Sequence, residues 1–232
     1  MTALLLEARG VHAFYGQSHV LHGVDLSIAP GETVTLMGRN GMGKTTTIRT
    51  LLGLLRAKSG AVLVRGEEVT GWPAHRIARL GIGLVPEGRG IFPTLTVREN
   101  LAVAARPGPW TSPRALALFP RLGERLGHLG SQISGGEQQM LSIARALLTN
   151  PSLLILDGAT EGLSPLVRAE IWAALLRLRS EGTAALVVDK EVQRLLDLGD
   201  RHLLMVKGRI VFAGTSVEFR AHEEENLALL RA

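Results

Sequence analysis

The sequence contains no cysteine, which excludes disulfide bonds and thiolate metal sites and is compatible with a reducing compartment. Aromatic residues make up only 4% of the 232 residues, so a core must be built from Leu, Val, Ile and Ala. No apolar run reaches the about 18 residues that indicate a membrane-spanning helix. The first residues, MTALLLEARG, lack the basic flank and the apolar length of a signal peptide. We therefore expect a soluble, cytoplasmic protein.

The charge is not concentrated in any block of the sequence. The chain has 26 basic and 21 acidic residues, a net charge of +5, and no run of five like charges. Nucleic-acid-binding proteins usually carry a basic stripe or block, so we expect no nucleic-acid partner. A weak attraction to an anionic membrane surface remains compatible with this charge.

Short apolar strand patterns alternate with helical patterns along most of the chain. Residues 153–156 and 184–188 are continuous apolar runs, which are typical of buried parallel strands. A helical pattern at 165–180 lies between them, with Ser164 as its predicted cap and Pro165 at its first position. This alternation predicts an α/β fold with a mostly parallel core sheet.

Other segments extend this fold at both ends and in the middle. Residues 4–8 and 20–28 alternate like strands and predict an antiparallel N-terminal β part. A short helix is predicted at 73–80, begun by Pro in its first turn. The proline-punctuated segment 94–130 is interpreted as a helical insert, and residues from Ser216 onward as one amphipathic helix.

A glycine-rich segment at 38–45 fits the phosphate-loop pattern G-x-x-x-x-G-K-[ST] at every fixed position. It lies between a strand pattern at 32–37 and a helical pattern at 46–55, as the motif requires. Glycines let backbone N–H groups point at phosphate oxygens, and the helix N-terminus adds a positive dipole. Lys44 can reach the β- and γ-phosphates, and the Thr45 hydroxyl can hold Mg²⁺. The predicted phosphate-binding residues are Gly38, Arg39, Asn40, Gly41, Met42, Gly43, Lys44, Thr45 and Thr46.

Asp157 ends the apolar run at 153–156. A carboxylate there can bind the Mg²⁺ held by Thr45, which is the arrangement of a Walker B motif. The pattern is weak alone, because an Asp can simply end a strand. The phosphate loop upstream favours the metal-binding interpretation.

A third segment, Ser134-Gly135-Gly136-Glu137, precedes a helical pattern at 136–148. Its backbone N–H groups could bind an anion. A plain helix cap is the alternative interpretation, because the same residues resemble a capping box. The position of the segment between the phosphate loop and Asp157 favours a role at the nucleotide.

These three motifs together resemble the ATP-binding-cassette (ABC) ATPases, and the set spans the chain. Residues 81–101, GIGLVPEGRGIFPTLTVRENL, and 162–166, GLSPL, are similar to one subgroup of that family. The subgroup comprises the ATPase subunits of importers for branched-chain amino acids and related small polar solutes. The resemblance implies a P-loop NTPase, ABC-type nucleotide-binding domain over residues 1–232. Residues 1–87 and 131–232 would form the ATP-binding core, and residues 88–130 a helical subdomain that touches the membrane partner.

The resemblance also implies ATP and Mg²⁺ as ligands and a head-to-tail dimer with itself or a paralogous ATPase subunit. Each ATP would lie between the phosphate loop of one subunit and Ser134, Gly135, Gly136 and Glu137 of the other. Tyr15 matches the aromatic residue that stacks on adenine, with a core or edge tyrosine as the alternative. Glu87 matches a residue that contacts the metal and the attacking water, with a solvated loop carboxylate as the alternative. Membrane permease subunits would be the further partners, at the inner face of the cell membrane.

The chain departs from the family at two positions. Gly158 stands where the family places the Glu that polarises the attacking water, and glycine cannot take a proton. Loss of a general base typically lowers a rate by about 10²–10⁴-fold, so we expect ATP binding with slow hydrolysis. Glu161 lies nearby in sequence, but we do not expect it to replace the missing carboxylate. Lys190 stands at the switch position, where many relatives carry His, and could offer a point charge to the γ-phosphate or be solvated.

The histidines show no convincing ligand spacing, and His19 and His22 should lie on opposite faces of their strand. We therefore expect no histidine metal site. Two other classes of function remain open: an ATP-gated clamp or degenerate half-site without turnover, and a non-transport ABC ATPase acting on DNA or ribosomes. The histidines are His12, His19, His22, His75, His128, His202 and His222.

Overall fold

The computed structural model describes residues 4–231 as two β-sheets with helices packed around them. A four-stranded sheet has the order β2-β1-β4-β5, and a six-stranded sheet has the order β10-β9-β3-β8-β7-β6. The strands are β1 (Leu6–Tyr15), β2 (Ser18–Ile28), β3 (Thr33–Met37), β4 (Ala57–Val64), β5 (Glu67–Glu68), β6 (Ile82–Val85), β7 (Leu153–Asp157), β8 (Ala184–Val188), β9 (Arg201–Val206) and β10 (Arg209–Gly214).

The six-stranded sheet confirms the predicted parallel core. Strands β6, β7, β8, β3 and β9 run parallel in that spatial order, and β10 pairs antiparallel with β9 at the edge. Every residue of β3, β7 and β8 is buried, which explains why their sequences are apolar without alternation. The hairpin between β9 and β10 turns at Lys207-Gly208.

The central sheet separates two hydrophobic cores. Leu154 and Leu156 of β7 face a core formed with the helices that follow β6. Leu153 and Ile155 of the same strand face a second core, which the N-terminal sheet and α1 (Lys44–Leu51) close. Because side chains alternate across a strand, one apolar run supplies both cores and holds its carboxyl end in place.

The remaining helices follow the predicted α/β alternation. They are α2 (Ala74–Arg79), α3 (Val97–Ala104), α4 (Ser112–Leu118), α5 (Pro120–Gly123), α6 (Gly135–Leu148), α7 (Pro165–Ser180), α8 (Val192–Leu198), α9 (Ser216–Ala221) and α10 (Glu223–Arg231). A 3-10 turn precedes α6. Three of these helices, α3 to α5, lie in the segment interpreted as a helical insert. In residues 4–231 no helix combines the length and the apolar composition that crossing a bilayer requires.

Two of the predicted helices end differently in the structure, whereas the bounds of the helix at 165–180 are confirmed. Pro73 is the cap residue before α2 and not part of its first turn. Ser164 stands at the cap of α7 but its side chain makes no capping hydrogen bond, while Pro165 does occupy the first position. The predicted C-terminal helix is two helices, because the backbone of His222 leaves the helical conformation between them.

The N-terminal hairpin extends further than its sequence pattern indicated. β1 and β2 reach Tyr15 and Ser18, with only a two-residue turn between them. β1 pairs antiparallel with both β2 and β4, which confirms the antiparallel N-terminal part. Irregularities interrupt the β1–β2 register. At one of them, Ala13 and Phe14 of β1 are consecutive, but their partners in β2, Leu21 and His19, are two residues apart.

Candidate functional site

Four loops leave the carboxyl ends of the parallel strands at one edge of the central sheet. The phosphate loop follows β3, Glu87 follows β6, Asp157 ends β7, and Asp189 follows β8. In open α/β sheets this edge is where ligands bind. The topology therefore brings together residues that are far apart in sequence.

The phosphate loop adopts backbone conformations that require glycine. Gly38 has φ 153° and Gly43 has φ 108°, and a Cβ at Gly38 would lie 2.5 Å from the carbonyl oxygen of Met205. Gly43 precedes α1 without a side-chain cap, so the first N–H groups of that helix have no side-chain acceptor at the cap. The loop is therefore shaped to present backbone N–H groups to an anion.

Lys44 lies at the first position of α1 and folds back over the loop. Its Nζ donates hydrogen bonds to the carbonyl oxygens of Gly38 at 2.7 Å and Arg39 at 2.9 Å. Burial lowers the pKa of Lys44, and the negative charges of Glu161 and Asp157 oppose that shift. A buried ammonium held at this place is suited to contact phosphate oxygens.

Thr45 and Asp157 form the second feature of the site. Thr45 Oγ1 donates a hydrogen bond to Asp157 Oδ1 at 3.2 Å. Burial raises the pKa of Asp157, the hydrogen bond from Thr45 lowers it, and the charge of Glu87 raises it further. Burial thus makes the ionised form of Asp157 less favourable than it is in water, and a divalent cation beside it would add to the positive charge of Lys44 in offsetting that cost.

The donor set fits Mg²⁺. A hydroxyl and a carboxylate are hard oxygen ligands, and Glu87 adds a second carboxylate to the same cavity. Residues 4–231 hold no group of three or more His, Cys, Asp or Glu arranged to bind a metal ion. Such a group is not needed for Mg²⁺, which proteins usually hold through one or two carboxylates together with substrate phosphates.

A cavity of about 250 Å³ joins half of the predicted site residues. Its phosphate-loop lining consists of Asn40, Gly41, Gly43, Lys44, Thr45 and Thr46. Glu87, Asp157 and Gly158 line it from the neighbouring loops, together with Glu161 and Val188. A second cavity of about 490 Å³ adjoins it and is lined by Gly38, Arg39, Asn40 and Lys190, among others. Met42 lies outside both cavities, and its sulfur accepts a hydrogen bond from the backbone N–H of Lys207.

Gly158 turns the chain sharply after β7. Its φ is 70°, a left-handed conformation that side chains rarely adopt, and its N–H donates to the carbonyl of Val188. The turn directs Glu161 back into the cavity, where its carboxylate pairs with Lys190 Nζ at 3.1 Å. The structure thus places Glu161 inside the site, although the sequence analysis does not predict a role for it there.

Asp189 and Thr160 are site residues that the sequence analysis missed. Asp189 Oδ2 accepts hydrogen bonds of 2.8 Å from both the backbone N–H and the hydroxyl of Thr160. Its Oδ1 accepts from the backbone N–H groups of Lys190 and Glu191. Asp189 therefore ties the loop after β7 to the loop after β8. A carboxylate directly after the buried strand β8 was the available sequence signal.

The Ser134 segment lies outside both cavities of the phosphate loop. Ser134 caps α6 with a full capping box, in which its hydroxyl accepts from Glu137 N–H and its own N–H donates to the Glu137 carboxylate. A Cβ on Gly135 would lie 2.8 Å from Arg89, and a Cβ on Gly136 2.7 Å from Val167. The capping alternative is therefore realised in this structure, and within one chain the segment does not reach the phosphate loop.

Tyr15 ends β1, and its side chain is 43% exposed. A buried core tyrosine is therefore excluded, whereas an edge tyrosine and a ring that stacks on a base are both compatible with this exposure. The ring lies outside both cavities that the phosphate loop lines.

The predicted placement of His19 and His22 was wrong. Their rings lie on one face with centroids 3.9 Å apart, and His12 Nδ1 lies 3.1 Å from His19 Nε2. The register explains this: Ala13 pairs with Leu21 and Phe14 with His19, so Val20 is an extra residue in β2. A bulge of one residue reverses the alternation and moves His22 to the face of His19.

Comparison with known proteins identifies a family. The sequence profile described as ABC transporter matches residues 21–161. The high-affinity branched-chain amino acid transport ATP-binding protein BraG of Pseudomonas aeruginosa is 42% identical over 213 residues, covering 88% of this chain and 90% of that protein. A probable branched-chain amino acid transport ATP-binding protein, LivF of Archaeoglobus fulgidus, is 35% identical over 95% of this chain and 96% of its own length. The lipopolysaccharide export system ATP-binding protein LptB of Haemophilus influenzae is 33% identical over 95% of this chain and 94% of its own length.

Solved structures share the fold. The ATP-binding subunit of an ABC transporter superposes with a TM-score of 0.85 at 27% identity and covers 98% of this chain and 100% of its own. A bacterial ABC transporter cassette described as dimeric superposes with a TM-score of 0.79 at 25% identity, over 91% of this chain and 98% of its own. The family match over residues 21–161, the identity to curated relatives over most of the chain and the shared fold agree, and the chain belongs to the ABC transporter family as one of its ATP-binding subunits.

Proposed function

We propose that this chain is the ATP-binding subunit of an importer for branched-chain amino acids or related small solutes. It would couple ATP binding and hydrolysis to transport through membrane permease subunits at the inner face of the cell membrane. The support for the solute class is the 42% identity to a branched-chain amino acid transport protein, against 33% to a lipopolysaccharide export protein. The similar coverage of both relatives makes that difference in identity meaningful.

The observation that carries the ATP-binding proposal is the cavity in which Lys44, Thr45 and Asp157 meet. Loop N–H groups and Lys44 would hold the phosphate charge. Thr45 and Asp157, with Glu87 alongside, would hold Mg²⁺, which neutralises charge on the β- and γ-phosphates when bound. Tyr15 would stack on adenine through its exposed ring face.

Closure around ATP would need a second subunit. The Ser134 segment lies outside the phosphate-loop cavities of its own chain, yet it presents the N-terminus of the fourteen-residue helix α6. That end carries a partial positive charge and can face an anion. A head-to-tail dimer, with itself or a paralogous subunit, would bring Ser134 and Gly136 of one copy to the γ-phosphate held by the other. Residues 88–130 would then contact the permease.

Hydrolysis is proposed to be weak. Gly158 leaves the position after Asp157 without a side chain, and the left-handed backbone there disfavours any other residue. Binding would be less affected, because Lys44, Thr45 and Asp157 are all in place. An ATP-gated clamp or a half-site beside an active paralogue is the second candidate, favoured by the same glycine. A role on DNA or ribosomes is supported by no observation in residues 4–231.

Two measurements test the proposal. First, the tagged chain is purified from detergent-solubilised membranes, and we expect integral permease subunits to co-purify and to support ATP-dependent leucine uptake in vesicles. Uptake that is absent although the complex forms would contradict the solute class. Absence of any membrane partner would contradict the importer.

Second, MgATP hydrolysis is compared for the parent, Gly158→Glu and Gly158→Gln. The two variants strain the backbone equally, but only Glu can take a proton. We expect turnover to rise in Gly158→Glu alone. A parent rate that is already substantial, with no increase in Gly158→Glu, would contradict weak hydrolysis.

A further inference from the structure

We propose that Glu161 supplies the carboxylate that position 158 lacks, and that Lys190 positions it. Glu161 would orient the attacking water and accept its proton in the slow ATP hydrolysis of this chain. The inference rests on the proposed function, since it concerns how the same site hydrolyses ATP. It assigns a catalytic role to a residue three positions beyond the usual one.

The first support is the direction of the Glu161 side chain. A Cβ built on Gly158 would lie 3.6 Å from Glu161 Cγ and 3.7 Å from Glu161 Cδ. Apart from Gly158 itself and its chain neighbours Asp157 and Ala159, the three nearest heavy atoms to that Cβ all belong to Glu161. The Glu161 side chain therefore borders the space into which a side chain at 158 would project. The glycine makes this possible, because its left-handed turn folds the loop back and leaves that space open.

The second support is the set of residues that surround Glu161. It lines the same cavity as Lys44, Thr45 and Asp157. Its charge also acts on both Lys44 and Asp157, since it raises the pKa of each. Glu161 is thus an acidic group at the phosphate end of the site.

The third support is that the loop after β7 is held at two neighbouring residues, Thr160 and Glu161, by residues that follow β8. Lys190 Nζ pairs with Glu161 Oε2 at 3.1 Å. Lys190 directly follows Asp189, which holds the backbone and hydroxyl of Thr160, the neighbour of Glu161. The Lys190 and Glu161 side chains are 52% and 34% exposed, so their ion pair adds little stability. Its proposed effect is to favour the rotamer of Glu161 that lines the cavity.

The other carboxylates of the cavity are engaged differently. Asp157 accepts the Thr45 hydroxyl hydrogen bond, and the two residues together are proposed to hold Mg²⁺. Glu87 comes from the loop after β6 and is not among the atoms near the open side of Gly158. Of Glu87 and Glu161, it is Glu161 that borders the vacant side-chain position.

The chemical step is an in-line displacement. The oxygen of a water molecule attacks the γ-phosphorus, and the bond from that phosphorus to the β–γ bridging oxygen breaks. ADP leaves with the electron pair of that bond. The proton released by the water passes to the Glu161 carboxylate and then to the phosphate product. Atoms and charge balance with no further reactant.

The experiment measures single-turnover phosphate release with enzyme in excess over ATP. The parent is compared with Glu161→Gln, with Glu87→Gln and with Glu170→Gln as the matched control. Glu170 is also 34% exposed and also pairs with a basic residue, Arg121, but lies in α7 away from the cavity. Lys44→Ala supplies the background rate. ATP affinity and ATP-dependent dimer formation are measured on every variant.

We expect Glu161→Gln to lower phosphate release by roughly 10²-fold, or to the background, with ATP affinity and dimer formation unchanged. Glu170→Gln should match the parent. Lys190→Met should lower the rate by a smaller factor, because Glu161 then loses its fixed rotamer. The double variant Gly158→Glu with Glu161→Gln should regain turnover, which a purely structural role of Glu161 would not allow.

Several results would overturn the inference. They are an unchanged rate in Glu161→Gln, a loss in Glu87→Gln alone, and a parent rate no higher than that of Lys44→Ala. A loss of ATP affinity in Glu161→Gln, or no recovery in the double variant, would count equally against it. None of these results would contradict the importer proposal, which depends on ATP binding and on the membrane partners. If Glu161→Gln fails to fold, Glu161→Asp, whose carboxylate is one methylene shorter, gives the same comparison.

Discussion

Thr45 and Asp157 are separated by 112 positions in sequence and joined by a hydrogen bond of 3.2 Å at the edge of the central sheet. β3 and β7 lie on either side of β8 and end at the same edge, so the two side chains meet without any long loop. Burial makes the ionised carboxylate less favourable than it is in water, and a bound cation would offset that cost. The pair is therefore prepared for Mg²⁺ at some cost in the stability of the free protein.

Removing either member should abolish the dependence of ATP affinity on Mg²⁺. We expect Thr45→Val and Asp157→Asn to lower affinity for MgATP by about 10- to 100-fold, the range for loss of a charged polar contact. Affinity for ATP in EDTA should stay the same. Titration of a fluorescent ATP analogue with and without Mg²⁺ measures both. Thr50→Val is the control, because its hydroxyl bonds within α1 and lines no part of the cavity.

The same pair allows a check on stability. Since burial raises the pKa of Asp157, its ionised form destabilises the fold at neutral pH, and Asp157→Asn should melt at a higher temperature than the parent without nucleotide. A lower melting temperature of Asp157→Asn would show that the ionised carboxylate stabilises the free protein, which would contradict the prediction.

The phosphate loop and Asp157 could be predicted because each motif is local. A fixed glycine spacing or a carboxylate at the end of an apolar run can be read along one segment. Thr160 and Asp189 are 29 positions apart, and their contact depends on β7 and β8 being neighbours. The position of Glu161 depends on the left-handed turn at Gly158, which the sequence pattern does not specify.

The histidines of the N-terminal hairpin illustrate another limit. Their faces follow from strict alternation only when the strand is regular. One extra residue, Val20, reverses that alternation and brings His19 and His22 together. Bulges leave no composition signal that separates them from regular strand residues.

Ser134 should have two separable roles. Its hydroxyl caps α6 through Glu137, so Ser134→Ala should lower the free energy of unfolding by about 1 kcal/mol. Ser134→Asp should keep the cap and the stability, because Asp is an equally good cap residue. In the proposed dimer, however, that carboxylate would face the γ-phosphate, and we expect ATP-dependent dimerisation to be lost.

Sedimentation with MgATP and urea unfolding together measure these effects. Thr96→Asp is the matched control, because Thr96 caps α3 with the same type of capping box and has no proposed contact with nucleotide. Dimerisation should be unchanged in that variant. A Ser134→Asp protein that still forms ATP-dependent dimers would exclude the segment from the interface.

Asp189 should contribute strongly to stability. It is 3% exposed and accepts four hydrogen bonds, from Thr160 N, Thr160 Oγ1, Lys190 N and Glu191 N. Asp189→Ala leaves buried donors without partners, and we expect a loss of roughly 3 kcal/mol or more. Asp189→Asn retains one good acceptor and should lose less. Urea unfolding provides the measurement, with the exposed Asp197→Ala as control; equal stability of the two Ala variants would refute the prediction.

His202 should make the stability depend on pH. It is fully buried in β9, and its ring nitrogens lie 2.7 Å from Thr35 Oγ1 and 2.7 Å from Ser216 Oγ. Ser216 donates its own hydrogen to the carbonyl of Leu196, so it must accept from Nε2–H, and Nδ1 then accepts from Thr35. The neutral Nε2–H form is therefore the one that the fold selects.

Burial lowers the pKa of His202 from 6.5 to about 4. A histidine with a lowered folded-state pKa contributes its stability above the unfolded value, and loses it as the pH falls. We expect the free energy of unfolding to fall by about 3 kcal/mol between pH 6.5 and pH 4 because of this residue. Urea unfolding across that range gives the slope. His202→Gln should flatten the slope while His75→Gln, at an exposed position, leaves it unchanged, and an equally steep slope in His202→Gln would assign the pH dependence to other groups.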